Sequence, residues 1–524
     1  MQPQTTKSLA EKMNFLLFFT YLLAILLAKS RGKEYNNAIM KIANENTIEN
    51  ENAIAERERK QFDKMTKSPI ARLIIGLGIP TTLSMMVTSL YNLADTYFVS
   101  LIGSDAITAA ASNLLALMSI IQAIGFTFGM GSGALISRLL GKRDREGADK
   151  VFSSSLFLSC VCGLLVLMLG FAFFEPMLRL LGSKAADVLH YSKQYAVFIL
   201  IAAPFMCMSF VLNNVLRAEG KAVLSMIGLV SGTLVNVALD PILIFGAGMG
   251  IRGAAIATCV SQILSFVIIL FMFLSGKTVV RFRLRSISKK FDVYAEVIST
   301  GFPSFCRQVL ASLCTVFLNS TAFDCGVAHY GTEEGGKAAQ AALGVVQKVF
   351  MLAFSMSLGI GQGYQPVLGY NYSAKNYDRV KASYLFTLYF SMCVMLAFGV
   401  ICGIFAPAVM GLFSLSPEAT EIGALALRLQ CIAMPLLPLN FMASITYQSL
   451  GKKAIAALLS VSRQGLFYIP TVFILPKLVG LLGVQSCQAL SDLLAFFFAI
   501  PFTIMFFNML KREKSSLSQQ ACEE

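Results

Sequence analysis

"GSGALISRLLGKRDREGADKV", residues 131–151, closes a long apolar run with a cluster of cations, and a similar stretch, "GIGQGYQPVLGYNYSAKNYDRV", returns at residues 359–380. Aligned, the two copies match Gly131, Gly133 and Gly141 with Gly359, Gly361 and Gly369. Further matches keep the same order. "GIPTTL" (Gly78, Pro80) pairs with "GFPSF" (Gly301, Pro303), and Pro204 precedes the pair Gly220 and Lys221 by the interval that separates Pro435 from Gly451 and Lys452. "GIRGAAIATCVSQIL" then parallels "GLLGVQSCQALSDLL". Single coincidences of Gly and Pro are common in apolar sequence, but an ordered series is not, so the chain reads as a tandem repeat.

The copies sit in a membrane protein. The 524 residues are 56% hydrophobic and 14% charged, with a mean hydropathy of +0.68. Twelve segments reach the roughly 20 residues a spanning helix needs, near 70–100, 107–138, 151–174, 190–216, 223–246, 254–275, 293–324, 340–368, 380–406, 421–448, 454–475 and 484–510. A β-barrel would show alternating segments of about ten residues instead. Six spans per copy, an even number, give both copies one orientation and relate them by a pseudo-two-fold axis along the membrane normal. The expected fold is therefore an all-α polytopic membrane protein of two six-helix lobes with a cleft between them. Its divisions are an N-lobe at 68–276, a basic interlobe loop at 277–291, a C-lobe at 292–510 and a cytoplasmic tail at 511–524.

Loop charges set the orientation. Arg138, Lys142, Arg143, Arg145 and Lys150, then Arg217 and Lys221, "KTVVRFRLRSISKK", Lys375, Arg379 and Lys381, Lys452 and Lys453, and the terminal "KREK" all fall on one side. The other side holds chiefly Arg179, Lys184, Arg252, Lys337 and Lys477. The positive-inside rule places the first set in the cytoplasm. Residues 1–67 stand apart as a leader: "NFLLFFTYLLAILLA" is short for a span, and the polar stretch up to Lys64 reads as a solvated helix or linker. Because Met65 opens "MTKSPIARLI", translation starting there is an economical expectation, with residues 1–64 dispensable.

Composition also narrows the function. The formal charge of +14 lies in inter-helix connections, so it orients the chain and nucleic-acid binding is not expected. Two histidines, no G-x-x-x-x-G-K-[ST] loop and twelve cysteines scattered mostly through apolar helices leave no base for an imidazole metal enzyme or an ATPase. No cofactor is expected, and the chain reads as a non-enzyme. What stands out is acid in hydrocarbon: Asp95 in "YNLADTYFV" and Asp240 in "LVNVALDPILIF". Intramembrane acids are costly and functional by default. Asn236 and Asp240, four apart, share a helix face, and Pro241 weakens the helix just after the carboxylate.

The order "LYNLADTYFV", "NNVLRAEGKA", "NVALDPILIFGAGMGIRGAAIAT", then "GFPSF", "QPVLGYNY", "YQSLGKKAIAALLSVSRQ" and "ALSDLLAF" resembles the multidrug and toxic compound extrusion (MATE) family, most closely its MepA/DinF-like branch, from residue 68 to 510. The resemblance implies an inner-membrane antiporter, of bacterial type and expected to be monomeric, that exports cationic or lipophilic compounds in exchange for H⁺ or Na⁺. It further implies that Asp95, Asn213, Asn236, Asp240 and Thr258, with Tyr195 nearby, form an ion or proton site in the N-lobe, and that Asp95 and Asp240 are partners. Two close carboxylates in low dielectric cannot both stay charged cheaply, so the pair takes up a proton or a cation readily. The oxygen donors of Asp95, Asn236, Asp240 and Thr258 also suit Na⁺, a hard cation.

The second lobe departs from the family pattern: its seventh segment lacks a mid-helix acid, and Asp324 sits near the outer end. That favours coupling in the N-lobe. Lys348, Arg463 and Asp492 read as a structural charge network, with Arg307, Gln308, Gln347 and Gln464 as further polar positions. Met and Phe residues offer an adaptable lining for lipophilic substrates, without singling out contact residues. A flippase for a lipid-linked saccharide or other amphiphile is the alternative transporter reading. A membrane enzyme would need a convergent cluster of His, Ser or acid groups at a membrane face.

Overall fold

The computed structural model describes residues 55–102, 105–183, 185–276, 278–413 and 416–523. Among them, twelve helices are long and apolar enough to cross a membrane. The N-lobe holds α1 (Ile70–Ser100), α2 (Asp105–Gly141), α3 (Arg145–Ala172), α4 (Ala186–Ala218), α5 (Ala222–Gly246) and α6 (Ile251–Leu274). The C-lobe holds α7 (Phe291–Tyr330), α8 (Glu333–Ser373), α9 (Tyr377–Ile404), α10 (Pro417–Ser449), α11 (Lys453–Val479) and α12 (Leu481–Glu523). Short helices at Phe174–Leu180 and Ala406–Gly411 follow the third helix of each lobe, so the repeat extends to the connections. Helices suit a chain in lipid because each satisfies its own backbone donors and acceptors. Met168, Leu234, Phe271, Val316, Ile401 and Phe497 are more than half exposed, an outer surface suited to hydrocarbon.

The lobes join through the glycines that revealed the repeat. Helix α1 packs on α8, and α7 packs on α2, two crossings related by the internal pseudo-symmetry. At the first, a Cβ on Gly363 would lie 2.6 Å from Gly78 Cα, and one on Gly359 would lie 2.3 Å from Thr82 Cα. At the second, a Cβ on Gly131 would lie 2.2 Å from the Val297 carbonyl oxygen. Small residues let the backbones approach and pack where lipid offers no hydrophobic drive. Hydrogen bonds cross in the same region: Asn371 Nδ2 donates to the Met65 carbonyl at 3.0 Å, and Arg379 Nη2 to the Ser68 carbonyl at 2.6 Å. All these contacts gather toward the end that carries the basic loops.

Part of the leader belongs to that closed end. Residues 55–67 are helical. Arg143 lies 4.4 Å over the Phe62 ring, whose centroid is 6.5 Å from that of Tyr370, and Met65 is wholly buried in a cluster of N-lobe side chains joined by Val297, Val367 and Tyr370 of the C-lobe. A chain starting at Met65 forfeits the Phe62 contacts with both lobes. The short apolar run and most of the polar linker lie outside the described residues. At the other terminus, the tail expected from residue 511 is a continuation of α12, fixed to α8 by Tyr372 Oη donating to Glu513 Oε1 (2.9 Å) and to α9 by Lys514 on Asp378 (2.7 Å).

The interlobe segment is strapped to the N-lobe rather than hanging between lobes. Wholly buried Glu219 accepts from the backbone N–H groups of Val279 (3.0 Å) and Val280 (2.7 Å) and pairs with Lys221. Asp149, Ser153 and Ser154 on α3 accept from the amides of Arg281, Arg283 and Ser288. Burial pushes the Arg281 guanidinium below its usual range, with the neighbouring cations Arg145 and Arg283 adding to it. Glu219→Ala orphans two buried amides, at roughly 1–3 kcal/mol each. The expected result is faster trypsin cleavage at Arg281, Arg283 and Arg285; an unchanged digestion rate would show that the strap is held by other contacts.

Candidate functional site

On α5 a stripe of every fourth residue, Gly228, Gly232, Asn236 and Asp240, faces α6. The two glycines bring the helices together: a Cβ on Gly232 would lie 2.7 Å from Ser265 Cβ, and one on Gly228 would lie 2.2 Å from Ile269 Cγ1. Ser265 Oγ donates to the Gly228 carbonyl at 2.9 Å, locking the crossing. This approach carries Asn236 and Asp240 against Thr258 of α6. All three are buried, Asp240 and Thr258 completely. With its carbonyl turned toward α6, the Asn236 amide donates to Asp240 Oδ2 at 3.1 Å and accepts from the Thr258 backbone N–H at 3.2 Å. Just beyond Asp240, Pro241 has no N–H to continue the ladder, and the chain takes a wider π turn at Ile242–Gly246 before Gly248 and Gly250, both at positive φ, reverse it into α6.

The other expected members of the site are distributed differently. Tyr195 is buried in the core cluster that includes Ile244, Ile251 and Ala254, at the Asp240 end of the lobe. Helix α1 packs beside α5, but the Asp95 side chain, and with it the pairing of Asp95 with Asp240, lies outside the described residues. Asn213 is not part of the cluster. Its Oδ1 accepts from Ser225 Oγ at 3.0 Å, and Ser225 stands fifteen residues before Asp240 on α5, about 22 Å at 1.5 Å per residue. Sequence similarity grouped Asn213 with the acids; its depth in the membrane separates it from them.

Asn213 belongs instead to a polar chain that bridges the lobes. Ser225 Oγ also accepts from Arg217 Nε (3.1 Å), Arg217 Nη1 donates to Gln362 Oε1 of α8, and Gln362 Nε2 reaches Met130 Sδ of α2. Arg217 and Gln362 are 4% and 1% exposed, so this is a buried cation whose partners come from both lobes. The sequence reading treated Arg217 as a loop cation and did not single out Gln362. The available signal was a polar residue in the otherwise small and apolar "GIGQG" at the repeat glycines.

In the C-lobe, Arg463 Nε donates to Asp492 Oδ1 at 2.6 Å; Gln488 adds a bond to the same oxygen and Gln430 one to Oδ2. Arg463 sits in a π turn, Ser462–Tyr468, on the fifth helix of its lobe, as the Pro241 π turn does in the other. The expected charge network thus forms from Arg463 and Asp492, whereas Lys348 is exposed and outside it. Gln347 bonds to Thr315 on α7. Asp492→Ala leaves Arg463 buried without its acid, a change that costs roughly 3–5 kcal/mol. Thermal unfolding in detergent should show the loss as a large drop in melting temperature.

Comparison with known proteins follows the same two-part pattern. The MatE family model matches residues 80–242 and 303–474, once in each lobe. The multidrug export protein MepA of Staphylococcus aureus (strain MSSA476) is 26% identical over 429 residues, covering 81% of this chain and 91% of the relative. MepA of Staphylococcus haemolyticus (strain JCSC1435) is 25% identical, covering 87% and 98%. Among solved structures, an outward-facing multidrug resistance MATE family transporter of the MOP superfamily superposes with a TM-score of 0.80 at 28% identity, covering 86% of this chain and 98% of that one. A MATE crystal structure in a bent conformation gives 0.78 at 27%, covering 87% and 99%.

Proposed function

The chain belongs to the MATE family, and on that footing we propose that it is a secondary antiporter exporting cationic or lipophilic compounds in exchange for H⁺ or Na⁺ by alternating access. The observation that carries this reading is the wholly buried Asp240, set by a glycine-lined crossing against Asn236 and Thr258 in an apolar lobe. A carboxylate so placed has two states of very different charge, and a proton or a cation selects between them. Asp240 and Thr258 carry oxygens of the kind a hard cation takes, Asn236 joins them when its carbonyl turns from the Thr258 N–H, and Asp95 is the further donor that the family resemblance implies.

Coupling then needs no chemistry beyond differential binding. An ion that prefers one arrangement of the N-lobe shifts the lobe toward it, by as much as its affinities for the two arrangements differ. The arrangement at hand is closed at the basic end by the two glycine crossings, which leaves the opposite end for release. With that basic end cytoplasmic, substrate leaves outward as the driving ion enters. The bacterial multidrug exporters among its relatives support a place in the bacterial plasma membrane.

The test is dye export from vesicles reconstituted with the full chain, under a pH gradient and a Na⁺ gradient imposed separately. Export under either one supports the antiport reading and names the ion. Export that continues after both gradients are collapsed overturns it.

A further inference from the structure

Two arginines of the C-lobe line one small cavity between α7, α8, α10 and α11: Arg307 and Arg463, with Asn440 and the serine pair Ser444 and Ser460, whose hydroxyls lie 2.7 Å apart. Their charges are not balanced. Among the described residues the acid bonded to this cluster is Asp492, which pairs with Arg463 and not with Arg307, and its oxygens are already taken by Arg463 Nε, Gln488 and Gln430. Lys348, the other charged group on this stretch of α8, is exposed and does not line the cavity. The formal sum over Arg307, Arg463 and Asp492 is one positive charge.

Three buried polar atoms on residues that line the cavity have no hydrogen-bond partner, the donors Arg307 Nη1 and Arg463 Nη2 and the acceptor Gln464 Oε1. Arg463 is 92% buried, and every N–H of a guanidinium is a donor. Aromatic faces cover the flanks of both ions rather than their ends: Arg307 lies 5.2 Å over Phe441, and Arg463 lies 4.9 Å over Phe350 and 5.6 Å over Phe354. A ring stabilises a cation through its face but accepts no strong hydrogen bond from the edge. The space is water-sized, which fits a single small ion and excludes a drug-sized ligand.

We infer that this cavity is a binding site for a small monovalent anion, held between the Arg307 and Arg463 guanidinia with a serine hydroxyl as a further donor. Guanidinium is weakly hydrated and suits buried anions better than ammonium does. One negative charge cancels the excess of the cluster and gives both free N–H groups an acceptor. The same chemistry describes chloride and a small carboxylate such as acetate. Helices α7 and α11 are tied together through the ion, so the C-lobe moves as a unit while the N-lobe carries the titrating acid.

The test has a structural and a thermodynamic arm. Crystals of the full chain grown in bromide should show an anomalous peak between Arg307 and Arg463. In detergent, chloride should raise the melting temperature above its value in gluconate, and Arg307→Gln should lower the apparent chloride affinity at least ~10-fold, about 1.4 kcal/mol. If acetate protects and chloride does not, the anion is a small carboxylate rather than a halide, and the site stands. Absence of a bromide peak, together with equal melting in chloride, gluconate and acetate, means the cavity takes only water and overturns the proposal. The bromide arm uses intact protein, so a folding defect in the variant cannot decide the result.

Discussion

Asp240→Asn protein in reconstituted vesicles is expected to export dye no faster than protein-free vesicles under either an imposed pH or an imposed Na⁺ gradient, a loss of at least ~30-fold or about 2 kcal/mol of coupling. The substitution is nearly isosteric and keeps a carbonyl for the Asn236 amide, which now donates to Asp240 Oδ2, so folding and membrane insertion should survive. What disappears is the group whose charge changes. A neutral amide takes up no proton and holds a cation weakly, so the ion has no differential affinity left with which to bias the lobe. Asp95→Asn should behave alike, and Thr258→Val should weaken coupling more mildly, about tenfold, by removing one neutral donor. Asn213→Ala is the informative control. Because Asn213 bonds to Ser225 near the interlobe chain, its loss should change maximal transport and leave the ion concentration for half-maximal export unchanged. Vigorous export by both aspartate variants would show that the carboxylates are structural.

Asn213 also shows what could and could not be read from the sequence. Twelve apolar runs, the tandem repeat and the Asn236–Asp240 face were legible because each depends on local spacing that lipid enforces strictly. Depth along the membrane was legible as well: Asn213 lies four residues before Arg217 at the basic end, while Asp240 lies nineteen after Lys221. Grouping polar residues by motif overrode that count. The Arg217–Gln362 contact was not legible, since it pairs residues 145 apart and nothing local to either one specifies the other. Similarly, Lys348, Arg463 and Asp492 were expected together on charge alone, but Lys348 is exposed on α8 and stays outside the Arg463–Asp492 pair. The repeat glycines were found as punctuation, and only packing turned them into the contact between lobes.

Those glycines lead to the second large effect. Gly301→Val is expected to open the basic end, because a Cβ there would lie 1.8 Å from the Thr127 carbonyl oxygen of α2, an overlap with backbone that no rotamer change relieves. Gly359→Val tests the pseudo-symmetric crossing, where Thr82 of α1 is the obstacle. Overpacking of this kind costs roughly 1–3 kcal/mol or more, which moves a two-state equilibrium ~5- to 150-fold. The cost falls on the closed arrangement, since separating the lobes removes the clash and uncovers only the C-lobe side chains Val297, Val367 and Tyr370 that share the N-lobe cluster. Each variant should therefore raise deuterium uptake in peptides spanning residues 72–84 and 355–371 and shift transport toward the state open at the basic end, without lowering the melting temperature of the lobes in proportion. Gly76→Ala is the matching control on α1: nothing lies within 4 Å of its added Cβ, so uptake should stay at the level of the intact protein. If Gly301→Val and Gly359→Val simply unfold the chain, the glycines serve packing within a rigid body. If they open one end while the lobes stay folded, the two crossings are the gate, and the repeat that placed a glycine at the same step of α7 and α8 as of α1 and α2 is what makes the gate close on both sides at once.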